Sequence, residues 1–324
     1  MSSKKIWSFV LVVYLTLLTF VMWFGYPFES FDHQNYISFL EEPFPFFFEP
    51  LYTLVAISLT NVILPEYRFF VVFFLFVATP TALIMLLDAR HGCASPQYIF
   101  FWILFKSSII GFISQRFWFA ELWMTYFILR FHSNLMRACV GVIFTSGIHF
   151  GVAGVLPVYY FLLRGASRIF LILLAILVIG IVYFKQVDYT FLGYDYSRYV
   201  GMGEERGFPY FSLLTMTLIC VMAVSSLQTK MAIRVMLASL GVLVFKAIFS
   251  DLEVYSRIFQ AQVDLLLIFC AMYGRKRAGA LLLPVFCICF VLAQALFSPT
   301  SDEVVFYIKT AFINSFVNFK SLVL

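Results

Sequence analysis

The stretch SQRFWFAELWMTYFILRFHSNLMRACVGVIFTSGIHFGVAGVLPVYYFLLR, residues 114–164, decides how the rest of the chain is read. An arginine, Arg116, stands where an apolar run begins, and an acid, Glu121, lies inside that run. A polar, basic turn follows from Arg130 to Arg137. A second apolar run then climbs to His149, set among Ser146, Gly147, Gly151 and Gly154. Ionisable side chains within apolar segments are costly unless paired or hydrated, so they mark functional sites by default. Glycines at such a place let another backbone or a ligand come close.

Working outward, the 324 residues are 63% hydrophobic, 20% aromatic and only 12% charged, where a soluble domain carries roughly 25% charge. Charge falls in clusters between long apolar runs, which excludes the alternating pattern of a β-barrel. The expected class is an all-α, polytopic integral membrane protein. Its 22 basic and 17 acidic residues then bear on orientation in a bilayer, and no nucleic-acid partner is expected. Cys93, Cys139, Cys220, Cys270, Cys287 and Cys289 lie mostly inside apolar runs and read as small apolar fillers. Lys4 and Lys5 precede the run 6–24 without a small-residue cleavage site, so that run reads as a first membrane helix.

Apolar runs at 6–24, 50–64, 67–87, 98–113, 117–130, 138–150, 151–163, 169–184, 210–228, 235–249, 258–273 and 280–297 predict about 10–12 membrane segments in a single domain, 1–324. Several are shorter than the roughly 20 residues a spanning helix needs. Simple alternation strands Arg90 outside and Arg116 inside. All the basic clusters (Lys4–Lys5, Arg90, Arg130 with Arg137, Arg164 with Arg168, Lys230 with Arg234, and 275–277) reach the cytoplasm if 50–64 is a re-entrant arm from outside and 138–163 a short pair dipping in from the cytoplasm. His149 is then a hairpin tip, which non-helical backbone can form where protein or a water-filled cavity covers it. The outer face receives a first loop at 25–49, a large loop at 185–209 and a tail at 298–324.

Arginines away from the cytoplasm need partners. Arg116 and Arg257 open two outer helix ends, and Arg198 and Arg206 lie in the large outer loop. A pyrophosphate suits them, because guanidinium stays charged and pairs bidentately with phosphate oxygens. Ion pairing with Glu204, Glu205 and Glu253 is the plainer account. An unperturbed histidine titrates near neutrality, so His149 suits a proton acceptor, or else a histidine bonded to a backbone carbonyl. Asp32 and Glu49 are the favoured acids of the first loop; Glu49 precedes Pro50, where an acid also complements a helix N-terminus. Lys106 with Glu121, and Lys246 with Asp264, are expected to form internal ion pairs. Outer-loop aromatics such as Tyr194 suit an interfacial belt. The histidines lack metal-site spacing, so neither a metal nor another cofactor is expected.

FDHQNY (31–36), FEPLY (48–52), SQRFWFA (114–120), GIHFGVAGVLPVYYFLL (147–163) and YSRIF (255–259) together resemble EpsG-type and Wzy-type bacterial polysaccharide polymerases. The resemblance rests on Asp32 with Tyr36, Glu49, Arg116 with Ala120, His149 with Leu156, Pro157 and Tyr159, and Arg257. One departure is the order Gln115 then Arg116, where the family commonly has Arg-Gln. The resemblance implies a GT-C-like membrane glycosyltransferase of the bacterial inner membrane, acting on its periplasmic side. It would join undecaprenyl-pyrophosphate-linked oligosaccharide repeats, with a chain-length regulator as a further partner. Catalysis would fall to His149, Arg116, Arg257 and Glu49, and substrate binding to Asp32, Tyr36, Gln115, Arg198, Arg206 and Tyr194. A glycosyltransferase using polyprenyl-phosphate sugars, and a flippase of lipid-linked saccharides, are the competing classes; a flippase would be expected to carry internal repeats, and none is visible.

Overall fold

A computed structural model describes residues 49–60, 62–64, 68, 71–72, 74–91, 115–186, 209–249 and 253–274, together with Val13. Among these residues all regular structure is helical. In chain order the helices are α1 (Pro50–Thr60), α2 (Thr79–His91), α3 (Gln115–Arg130), α4 (Leu135–Ser146), α5 (Val155–Arg164), α6 (Arg168–Gln186), α7 (Pro209–Ser226), α8 (Thr229–Ile248) and α9 (Glu253–Tyr273). A π-helical turn, Phe74–Ala78, leads into α2, and a 3-10 turn, Phe150–Gly154, joins α4 to α5.

Helix α9 is the axis of the arrangement. Every residue from 261 to 270 is buried, the polar Gln262 and Asp264 among them. Around it pack α3, α5, α7, α8 and the 3-10 turn. Helix α3 buries the block from Phe117 to Leu122 and touches α2, α4 and α9. Close approach of α3 and α4 depends on Gly141, where a Cβ would lie 2.4 Å from Phe127 Cγ.

Local chemistry sets the helix ends. Asn134 caps α4, its side chain accepting from the Arg137 N–H at 3.1 Å, a preferred residue for that position. Helix α5 ends at Gly165, whose φ of 80° is a conformation glycine adopts without strain. Arg234 of α8 then closes the same helix end, donating to the carbonyls of Leu162 at 3.0 Å and Leu163 at 2.9 Å. Arg68 does the same for α1, donating to the carbonyls of Ile63 at 2.9 Å and Thr60 at 3.1 Å.

The run expected at 138–163 folds as two short helices, α4 with 12 residues and α5 with 10. The run expected at 235–249 begins earlier, at Thr229, and takes Lys230 and Arg234 into the helix. Straight-chain cations are good helix formers, so a charge cluster does not interrupt the helix there. Among the described residues α8 is the one helix long and apolar enough to cross a membrane. Its outward face carries Ile233, Leu237, Leu240, Val244 and Ile248, and α6 exposes Ile169, Leu171, Ile172, Ile176 and Ile179. The runs 98–113 and 280–297 and the tail lie outside the described residues.

Candidate functional site

The site is assembled where the start of α1, the start of α3, the α4–α5 tip and the start of α9 meet. Its first tie is backbone to backbone. The N–H groups of Leu51 and Tyr52, which open α1 and have no partner within it, both donate to the carbonyl of Gly147, at 2.8 and 3.2 Å. A Cβ on Gly147 would come within 3.0 Å of Leu51 Cβ, so the tip fits this closely because it is glycine. Such orphan N–H groups are commonly capped by the preceding side chain. Here a neighbouring carbonyl caps them, and the Glu49 carboxylate is left for other work.

Glu49 is buried, and its Oε2 lies 2.5 Å from Arg116 Nη1. Its other oxygen, Oε1, faces His149 Nε2 at 3.6 Å. Burial pushes the Glu49 carboxyl up to about 7, while the Arg116 guanidinium against it and Arg257 close by pull the other way without cancelling that rise. The Arg116 guanidinium also lies 5.7 Å from the centre of the Tyr52 ring. The Glu49 side chain is therefore the partner of Arg116, while its backbone carbonyl accepts the Thr53 N–H at 3.0 Å where α1 begins.

His149 is held on two sides. Its Nδ1 accepts the Gly151 N–H at 3.2 Å, capping the 3-10 turn. In the neutral ring the proton is then on Nε2, the nitrogen turned to Glu49. The ring meets Phe117 edge to face at 5.1 Å between centres and stacks on Phe150 at 5.4 Å. Phe117 in turn lies under Arg257, whose Cζ is 5.9 Å from the ring centre. Arg257 is brought in by the glycines of the tip: a Cβ on Gly151 would be 3.2 Å from Arg257 Cβ, and one on Gly154 would be 2.3 Å from Ile258 Cγ2. Gln262, one turn further along α9, donates to the Gly154 carbonyl at 2.9 Å. The tip is thus pinned to α9 and to α1 at once.

Four candidate residues from four separate segments, Glu49, Arg116, His149 and Arg257, come together in this way. Gln115 opens α3, beside them along the chain. Asp32, Tyr36, Tyr194, Arg198 and Arg206 lie outside the described residues, as does Lys106, the expected partner of Glu121. The expected pairing of Lys246 with Asp264 does not form: Lys246 places its Nζ 5.8 Å from the centre of the Phe259 ring instead. Their sequence positions put both on helices that pack together, but which turns face each other is decided by the crossing of α8 and α9. Tyr52, Phe117 and Gln262 were not singled out from sequence, although a glutamine five residues past Arg257 in an apolar run was a visible signal; the close approach allowed by Gly151 was expected.

Chemically, two guanidinium groups flank a carboxylate and an imidazole at the ends of helices. That arrangement suits an anionic group with several oxygens and a nearby hydroxyl. Among the described residues no three His, Cys, Asp or Glu side chains come together as a metal site. Neither a protein-family model, nor a curated protein, nor a solved structure matches this chain.

Proposed function

We propose that the chain is a multi-pass membrane glycosyltransferase that polymerises undecaprenyl-pyrophosphate-linked oligosaccharide repeats at the periplasmic face of a bacterial inner membrane. The membrane part is supported by the length of α8 and by the exposed aliphatic side chains of α6 and α8, which would face water at high cost. The catalytic part is carried by one observation: Arg116 and Arg257 converge on the Glu49–His149 pair.

In the proposed reaction the acceptor hydroxyl attacks the anomeric carbon of the growing chain. The bond from that carbon to the pyrophosphate oxygen breaks, and the leaving polyprenyl pyrophosphate takes the bonding electrons. Arg116 and Arg257 stabilise the charge that gathers on it, a role that preorganised donors fill well in a dry site. The hydroxyl proton must go to a base. His149 Nδ1 is engaged by Gly151 and Nε2 faces Glu49, so the carboxylate is the better placed acceptor. Arg116 turning from Glu49 to the incoming pyrophosphate would free that carboxylate when substrate is present.

The test is direct. Purified protein supplied with a lipid-linked repeat should yield a ladder of longer lipid-linked chains. A strain lacking the protein should make surface glycan capped with single repeats. Complete loss of the glycan in that strain, with no ladder in vitro, would place the protein at another step and sink the polymerase reading.

A further inference from the structure

A groove with a cavity volume of about 210 Å³ runs between α5, α6 and α8. Phe161, Leu174, Leu177, Leu237, Gly241 and Phe245 line its sides, and among the described residues its one polar lining residue is Gln262. Leu237 is half exposed at its edge while Ala238 and Val242 are buried at its floor, so it opens sideways, along the face where α6 and α8 expose aliphatic side chains. A Cβ on Gly241 would meet nothing within 4 Å; the small residue leaves the channel open. Gln262 ties the groove to the candidate site, because the same side chain holds the Gly154 carbonyl of the tip. Arg257 lies five residues before it on α9.

We infer that this groove holds the hydrocarbon chain of the lipid whose pyrophosphate is bound by Arg116 and Arg257. The inference rests on the reading of that site as one for a lipid pyrophosphate. An apolar chain entering from the side would be buried along α8 while its headgroup reaches the tip. Burial of each methylene favours binding by a fixed increment, so the groove adds affinity that the headgroup alone does not have. The open edge lets a chain much longer than the cavity continue into the bilayer.

The experiment uses the full-length protein in nanodiscs, undecaprenyl pyrophosphate with a diazirine on its chain, and inorganic pyrophosphate as a headgroup-only probe. Photolysis should label Leu174, Leu237 or Phe245. Gly241→Phe should weaken binding of the undecaprenyl compound at least about tenfold, the loss of roughly two buried methylenes, and leave pyrophosphate binding unchanged. Gly180→Phe, at an exposed α6 glycine away from the groove whose Cβ also meets nothing, should change neither. Labelling elsewhere, or unchanged affinity in Gly241→Phe while pyrophosphate still binds, would overturn the groove and leave the headgroup site standing. Equal labelling by a phosphatidylglycerol with the same reactive group would make it a seat for bulk lipid, again overturning the inference. Failure of both probes to bind the wild type would remove the site reading and the groove with it. The labelling map decides the matter even if Gly241→Phe does not fold.

Discussion

At the scale of single residues, Arg116 and His149 each have two roles that substitution can separate. Arg116 neutralises a buried carboxylate and, in the proposed reaction, grips a pyrophosphate. Arg116→Ala removes both, and stranding one partner of a buried pair costs about 3–5 kcal/mol, so it should unfold at a clearly lower temperature. Arg116→Lys keeps a positive charge near Glu49 but not the two-pronged fork. It should express and melt close to wild type yet lose most polymerisation; near-normal ladders from this variant would leave Arg116 as a structural ion pair only. His149 is separable by atom. Asparagine places its Oδ1 where His149 Nδ1 accepts from Gly151 and is itself a favoured cap, but it cannot reach Glu49. Glutamine keeps a donor at the ε position and gives up the cap. If the ring takes part in proton transfer with Glu49, both should polymerise at least about a hundredfold more slowly, with His149→Asn keeping its melting temperature. A fully active His149→Asn would mean that the ring serves as a cap.

At the scale of elements, the tip between α4 and α5 is the joint on which the site depends. It touches α1 through the Gly147 carbonyl and α9 through Gly151, Gly154 and Gln262. Gly154→Ala pushes a methyl group to 2.3 Å from Ile258 Cγ2, which the packed core can relieve only by moving α9 or the tip. Overpacking of this kind costs about 1–3 kcal/mol, and the displacement should also lower activity by separating Arg257 from His149. Adding Ile258→Ala should restore much of both, because it removes the atom that is struck. A double variant no better than the sum of the two singles, measured by thermal melting and by ladder formation, would show that the contact is not the cause. Gly147 is a less severe case, since a Cβ there would meet Leu51 Cβ at 3.0 Å, which a shift of a few tenths of an ångström in the backbone of α1 or the tip relieves.

At the scale of the whole molecule, the turn at 131–134 and the turn at 165–167 should lie on one side of the membrane. The start of α8 belongs with the second of these turns, because the hold of Arg234 on the last carbonyls of α5 places the first turns of α8 beside the end of α5, where Arg164 and Arg168 also lie. In a background without native cysteines, cysteines at 132 and 166 should resist an impermeant thiol reagent in intact cells, and a cysteine at 195 should react. Labelling at 132 from outside would reverse the orientation. Helical class and the apolar runs between 117 and 273 were legible in the chain, because periodicity and composition are properties of neighbours in sequence. So was the choice of Glu49, Arg116, His149 and Arg257 as candidates, since each is an ionisable group at the edge of an apolar run. Their meeting was not legible. It follows from a carbonyl at Gly147 taking the N–H groups of α1, from glycines that let the tip approach α9, and from the crossing that turns Lys246 to Phe259 and not to Asp264. The sequence by itself determined which groups must find partners in an apolar interior; only tertiary structure decided which partners, because contacts between segments far apart in the chain depend on helix crossings and close approaches that no local pattern encodes.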